Sequence, residues 1–85
     1  MENMNKLYVA TRLENGLSDL ICSVANKRED LEKIYGTNIR EVIEYGTREQ
    51  ALSGLREHLP FFLETVPAFL YDNMVENDGF FEAYV

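Results

Sequence analysis

Asn15-Gly16, set between two segments that alternate apolar and polar residues, limits what this chain can fold into more than any other feature. A type I′ turn needs positive φ at both central positions, and Asn-Gly meets that need at little steric cost. The segment Leu7 to Val24 therefore reads as a β-hairpin. With a two-residue turn, Glu14 faces Leu17 and the rest of the register follows. Leu7, Val9, Thr11 and Leu13 share one face with Ser18, Leu20, Cys22 and Val24, which is the expected core face. Tyr8, Ala10, Arg12, Glu14, Leu17, Asp19, Ile21 and Ser23 line the other, where Arg12 stands across from Asp19 in a pair of opposite charge. A helix competes for the second arm: Leu17, Leu20, Ile21, Val24, Arg28 and Leu31 recur at helical spacing, and Ser18 could cap a helix running to Tyr35.

Asn26-Lys27-Arg28-Glu29 resembles a capping box and favours a helix that begins only there, with Leu31, Ile34 and Tyr35 as its apolar stripe and Gly36 as a left-handed cap. Ile39 to Tyr45 is rich in strand formers and reads as a third strand. Thr47-Arg48-Glu49-Gln50 is a second capping box, followed at helical spacing by Ala51, Leu52, Leu55 and Leu59. Gly54 lies inside this helix, at a cost of about 1 kcal/mol against alanine, which points to close packing on the sheet or on another subunit. Pro60 ends the helix or opens the next. Phe62, Leu63, Val66 and Leu70 give a further stripe, with Pro67 as a kink or restart and Asp72-Asn73 as its expected end. Gly79 to Val85 alternates like a short terminal strand or an extended arm. The expected fold class is α+β: a small antiparallel sheet of three to four strands, helices packed on one face, in the order ββαβα followed by an apolar helical extension.

Eighty-five residues are expected to make one domain, with residues 1–5 disordered and 72–85 forming an acidic, aromatic C-terminal segment. The lone cysteine, Cys22, has no partner for an internal disulfide and fits a reducing compartment. No basic run precedes an apolar segment at the N-terminus, and Leu59 to Tyr71 is too short and interrupted for a span of about 20 apolar residues. A cytoplasmic protein without a membrane role is the expectation.

In this layout Lys6-Leu7-Tyr8-Val9-Ala10, together with Tyr45-Gly46-Thr47-Arg48-Glu49-Gln50-Ala51, resembles the small hybrid-binding domain at the N-terminus of eukaryotic-type ribonuclease H and in viroplasmin proteins. The likeness covers residues 6 to 57 and implies a topology. That family grips nucleic acid with basic and aromatic residues, whereas this chain has no tryptophan and an acidic balance, so the resemblance implies nothing for binding.

Charge is distributed unevenly. Residues 57–85 hold six carboxylates (Glu57, Glu64, Asp72, Glu76, Asp78, Glu82) and neither lysine nor arginine, so they carry -6 of the net -7. Direct nucleic-acid binding rests on cationic contacts to phosphate, and this balance argues against it. His58 is the only histidine, but its place at a helix end is explained by the helix dipole, and no nucleophile stands at a suggestive spacing. Cys22 faces inward as a small hydrophobe. Asp72, Asn73, Glu76, Asn77 and Asp78 supply oxygens but miss the calcium-loop spacing, because Met74 and Val75 interrupt it and Val85 stands where the bidentate glutamate belongs. No catalytic residue, metal or cofactor is expected. The expected site is a partner-binding surface in which Phe69, Tyr71, Phe80, Phe81 and Tyr84 anchor while Asp72, Glu76, Asp78 and Glu82 steer. Its partner would be a basic protein surface, of the kind nucleic-acid-binding proteins present. The protein would then act as an inhibitor or adaptor, like the nucleic-acid-mimicking antagonists encoded by phages and mobile elements. The alternatives are an obligate homodimer using Leu59 to Tyr71 as its interface, and a small-molecule-binding or enzymatic domain using carboxylates and His58.

Overall fold

Two long strands form the hairpin, but the pairing is offset from the expected register. In the computed structural model, which describes residues 5–14, 19–60 and 64–84, β1 (Asn5–Glu14) pairs antiparallel with β2 (Asp19–Ala25) so that Glu14 faces Asp19 and Arg12 faces Ile21. Arg12 and Asp19 are therefore not opposite, and residues 15–18 separate the last paired positions where a two-residue turn was expected. The Asn15-Gly16 turn itself lies outside the described residues. A slip of two residues returns every side chain to its original face, so the same residues still share a face, but the expected core face is not the only buried one: Ala10, Ile21 and Ser23 of the other face are buried, and Leu13 of the expected core face is exposed. The helical alternative for the second arm is replaced by strand β2.

Helix α1 (Arg28–Tyr35) begins at Lys27, with no side-chain cap. Asn26 is not the expected cap because its amide is used elsewhere, donating to the Lys6 carbonyl at 2.9 Å and to the Tyr45 hydroxyl at 2.5 Å. Gly36 closes α1 at φ 65 and ψ -119, a backbone setting that only glycine adopts freely. Strand β3 (Arg40–Tyr45) then returns along the outer side of β1, with an irregularity between Leu7 and Tyr8.

Helix α2 (Arg48–His58) carries the expected reciprocal cap. The Thr47 hydroxyl accepts from the Gln50 N–H, while the Gln50 side chain accepts from the Thr47 N–H. Gly54 sits where this helix crosses β3: a Cβ there would lie 2.8 Å from the Ile43 Cγ2 and 3.0 Å from the Val42 Cγ1. Helix α3 (Thr65–Glu76) places Pro67 in its first turn, where an N–H has no intrahelical partner to lose. The helix does not stop at Asp72-Asn73. Leu70 and Met74 both reach the core, and Asn73 donates its amide to the Phe69 carbonyl one turn back. Strand β4 (Phe80–Tyr84) completes the sheet in the order β3-β1-β2-β4, antiparallel throughout.

The core is divided by the sheet. On one side Leu7, Val9, Cys22, Val24 and Tyr45 pack with Ala51, Leu55 and Leu59 of the α2 region and with Leu70 and Met74 of α3. On the other, Ala10 and Ala25 pack with Leu31 of α1, joined by Tyr8, Tyr35, Ile39 and Phe80. Helices were expected on one face; that holds for α2 and α3, whereas α1 covers the opposite face, where Leu31 packs with Ala10 and Ala25. Ile34, expected in the apolar stripe of α1, is exposed. Asn5 belongs to β1, paired with Tyr45, and not to a disordered leader. Phe62 and Leu63 lie outside the described residues. Among the described residues no helix is long and apolar enough to cross a membrane.

Candidate partner-binding surface

Strand β4 parts the nine expected anchors and steering groups. Phe81 and Ala83 point to the α2/α3 side, while Phe80, Glu82 and Tyr84 alternate to the α1 side, as strand geometry requires. Phe69 meets Phe81 edge to face at 5.4 Å, and Tyr71 meets Tyr45 in the same way at 5.6 Å. Phe80, Phe81 and Tyr71 are half-buried, and they serve the fold as much as any surface. Phe69 and Tyr84 remain 49% and 68% exposed, on opposite sides of the sheet.

Two of the four steering carboxylates are held by arginines of this same chain. Asp72 receives both arms of Arg48, Nε to Oδ1 at 2.9 Å and Nη2 to Oδ2 at 3.0 Å. These bonds hold the Asp72 carboxyl below its ordinary range. Glu82 faces Arg12 at 3.3 Å across β2, and it also accepts from the Ser23 hydroxyl at 2.9 Å and meets the Tyr35 hydroxyl at 3.3 Å. Ser23 and Tyr35 are themselves 2.7 Å apart, so two hydroxyl protons serve three contacts. Ser23 is fully buried, and this arrangement satisfies it. Arg12 also lies over the Tyr35 ring, 5.4 Å from its centre. Burial and the nearby Glu82 carboxylate raise the Tyr35 phenol above its ordinary pKa. These contacts make Asp72 and Glu82 structural residues first.

Glu76 and Asp78 differ. Both are exposed, and among the described residues neither has an ion-pair partner. Asp78 holds φ at 59, a setting aspartate tolerates better than most residues. Beside them Val75 of α3 is 54% exposed, and a depression of about 440 Å³, which Lys27 also lines, opens between Tyr71, Val75, Asp78, Asn26 and Asn5. The surface that survives is therefore the C-terminal end of α3 and the entry to β4, smaller than expected.

A second cleft, of about 510 Å³, is lined by Thr11, Thr37, Asn38, Arg40 and His58 with Val9, Ala10, Ile39 and Leu59. His58 ends α2 as expected. Cys22 is fully buried and is not among the residues of that cleft; burial alone pushes its thiol up to about 12. Among the described residues no three of histidine, cysteine, aspartate and glutamate converge to hold a metal ion. Arg12, Ser23, Tyr35 and Arg48 were not foreseen at the site. Arg12 and Glu82 are 70 positions apart and Arg48 and Asp72 are 24 apart, separations at which no local spacing rule applies. Leu59, Pro67 and Leu70, part of the run that the homodimer alternative would use as its interface, lie in the interior.

Comparison with known protein families, curated proteins and solved structures returned no match. The resemblance to hybrid-binding domains gains nothing from it.

Proposed function

We propose that this is a non-enzymatic acidic binding protein, an inhibitor or adaptor that docks on a basic surface of a partner protein. The observation that carries the reading is the end of α3. Exposed Val75 stands beside Glu76 and Asp78, two carboxylates without ion-pair partners among the described residues, in a third of the chain that has no cation, and Phe69 is exposed nearly two turns back along the same helix. An apolar anchor bordered by uncompensated charge favours a partner of opposite sign and speeds the encounter. A phosphate-like display is what an antagonist of a nucleic-acid-binding protein would present. Cys22 is buried and lies outside the His58 cleft, so the two do not form a pair there.

The test must avoid the carboxylates that hold the fold together. Reversing Asp72 or Glu82 would break the Arg48 and Arg12 pairs and confuse lost binding with lost structure. Glu76→Lys with Asp78→Asn removes the free charges, and asparagine keeps tolerance for the positive φ at 78. A partner captured from the host and identified should associate about tenfold more slowly or worse between low and physiological salt. The double variant should lose most of that steering while keeping the wild-type unfolding curve. A rate indifferent to both salt and the double variant rules the reading out.

A further inference from the structure

We infer that the Asp78-Gly79 peptide is a site of aspartate isomerisation that the cap of α3 keeps closed, and that modification there leaves β4 unable to pair in its native register. The inference goes beyond the binding reading and does not depend on it. Asp78 holds φ at 59 and Gly79 holds φ at 95, so the turn from α3 into β4 takes two left-handed residues in succession. The second of them calls for glycine. Glycine has no side chain to shield its nitrogen, and the carboxyl of the aspartate before it lies one ring closure away.

The reaction is succinimide formation. The Gly79 nitrogen attacks the Asp78 Cγ, the N–Cγ bond forms, and the amide proton leaves with the carboxyl OH as water. A second water then reopens the ring. Attack at Cγ restores aspartate, whereas attack at the former backbone carbonyl leaves the main chain running through Cβ and Cγ, as isoaspartate.

The fold holds the attacking nitrogen. The Gly79 N–H donates to the Met74 carbonyl at 2.8 Å, and the Gly79 carbonyl accepts from the Asn26 N–H at 2.9 Å. One bond ties the glycine to the last turn of α3, the other to the residue that follows β2. Asn77 reinforces this cap: its N–H lies 3.0 Å from the Asn73 carbonyl and 3.2 Å from that of Met74, and its side-chain amide donates to the Asn73 carbonyl at 2.7 Å. To attack, the nitrogen must give up Met74 and the peptide must turn about the Asp78 Cα–C bond, which draws Gly79 away from Asn26. The reaction therefore waits on a local opening of the cap and of the start of β4. Its product does not close again. Isoaspartate lengthens the main chain by a methylene just before Phe80, the position from which the pairing of β4 with β2 is set, Ala25↔Phe80 through Ile21↔Tyr84.

The experiment holds the full chain at mildly acidic pH, where the carboxyl leaves as water, in buffer that keeps it folded by circular dichroism and in urea that unfolds it. Isoaspartate at position 78 is read with endoproteinase Asp-N, which cuts before aspartate and not before isoaspartate. Mass identifies it too, since isomerisation leaves mass unchanged whereas deamidation of the adjacent Asn77 raises it. The folded chain should isomerise at least about tenfold more slowly than the unfolded one, and the slowing should match the hydrogen-exchange protection of the Gly79 amide, because both require release from Met74. Asp78→Asn, whose amide leaves as ammonia, should react faster in both states with the same ratio between them. The isoaspartyl chain, separated and returned to folding buffer, should lose the nuclear Overhauser contacts between Val24 and Phe81, which face each other in the native register. Equal rates in the folded and unfolded chains, or a protected Gly79 amide beside an unslowed reaction, overturn the gate. An isoaspartyl chain that keeps the Val24 to Phe81 contacts overturns the loss of pairing.

Discussion

Gly54 shows how one missing methyl group sets the distance between two elements. Alanine would normally gain about 1 kcal/mol inside a helix, yet its Cβ would stand 2.8 Å from the Ile43 Cγ2, so α2 and β3 would have to separate. Gly54→Ala is expected to destabilise the protein by about 1–3 kcal/mol net, measured by urea denaturation. Cys22 illustrates burial acting on a proton. Its thiol is pushed from 9.0 to about 12, so the folded state holds a proton that the unfolded state releases, and stability is lost as pH rises from about 9 toward 12. Tyr35 and Tyr71 are raised by burial and act in the same direction. Urea midpoints across this range should fall less steeply in Cys22→Ala, and the native thiol should resist Ellman's reagent until the chain unfolds. Asp72 has the opposite sign: lowered by Arg48, it stabilises the fold above the ordinary carboxylate range, and that support goes as pH falls through its depressed value. Carboxyl NMR of Arg48→Gln should show Asp72 titrating back near its ordinary position.

The elements differ in how far local chemistry decides them. Helix α2 has a complete capping box, so Thr47→Ala should cost about 1 kcal/mol by denaturation. Helix α1 lacks its expected cap because Asn26 ties the end of β2 to the Lys6 carbonyl and to Tyr45 instead. Asn26→Ala is expected to cost about 1–3 kcal/mol, since it leaves the Lys6 carbonyl and the Tyr45 hydroxyl short of a partner. An Asn-x-x-Glu pattern reads identically in both roles, and only the proximity of β1 and β3 separates them. The same limit applies to the hairpin. Alternation distinguishes the faces of β1 and β2, but a two-residue slip preserves them, and so periodicity could not separate Glu14 facing Leu17 from Glu14 facing Asp19.

Across the whole molecule, β4 joins the C-terminal end of the chain to β2 of the hairpin. It covers β2 and supplies Phe81 and Ala83 to the larger core and Phe80 to the smaller. Truncation after Gly79 should therefore abolish cooperative unfolding, seen as a broadened urea transition and a Cys22 thiol that reacts under native conditions. What the order of residues decided alone was what a few neighbours can decide: the α+β class, which hairpin residues share a face, the Thr47 start of α2, and a C-terminal third without cations. The tertiary structure decided the rest: the fourth strand pairing with β2, α1 on the opposite face, and the capture of Asp72 and Glu82 by Arg48 and Arg12. The division has a physical reason. Hydrophobic periodicity and capping act within a turn or two of chain, whereas a carboxylate's partner is whichever arginine the folded sheet brings within about 3 Å, and that distance does not exist until the strands have paired.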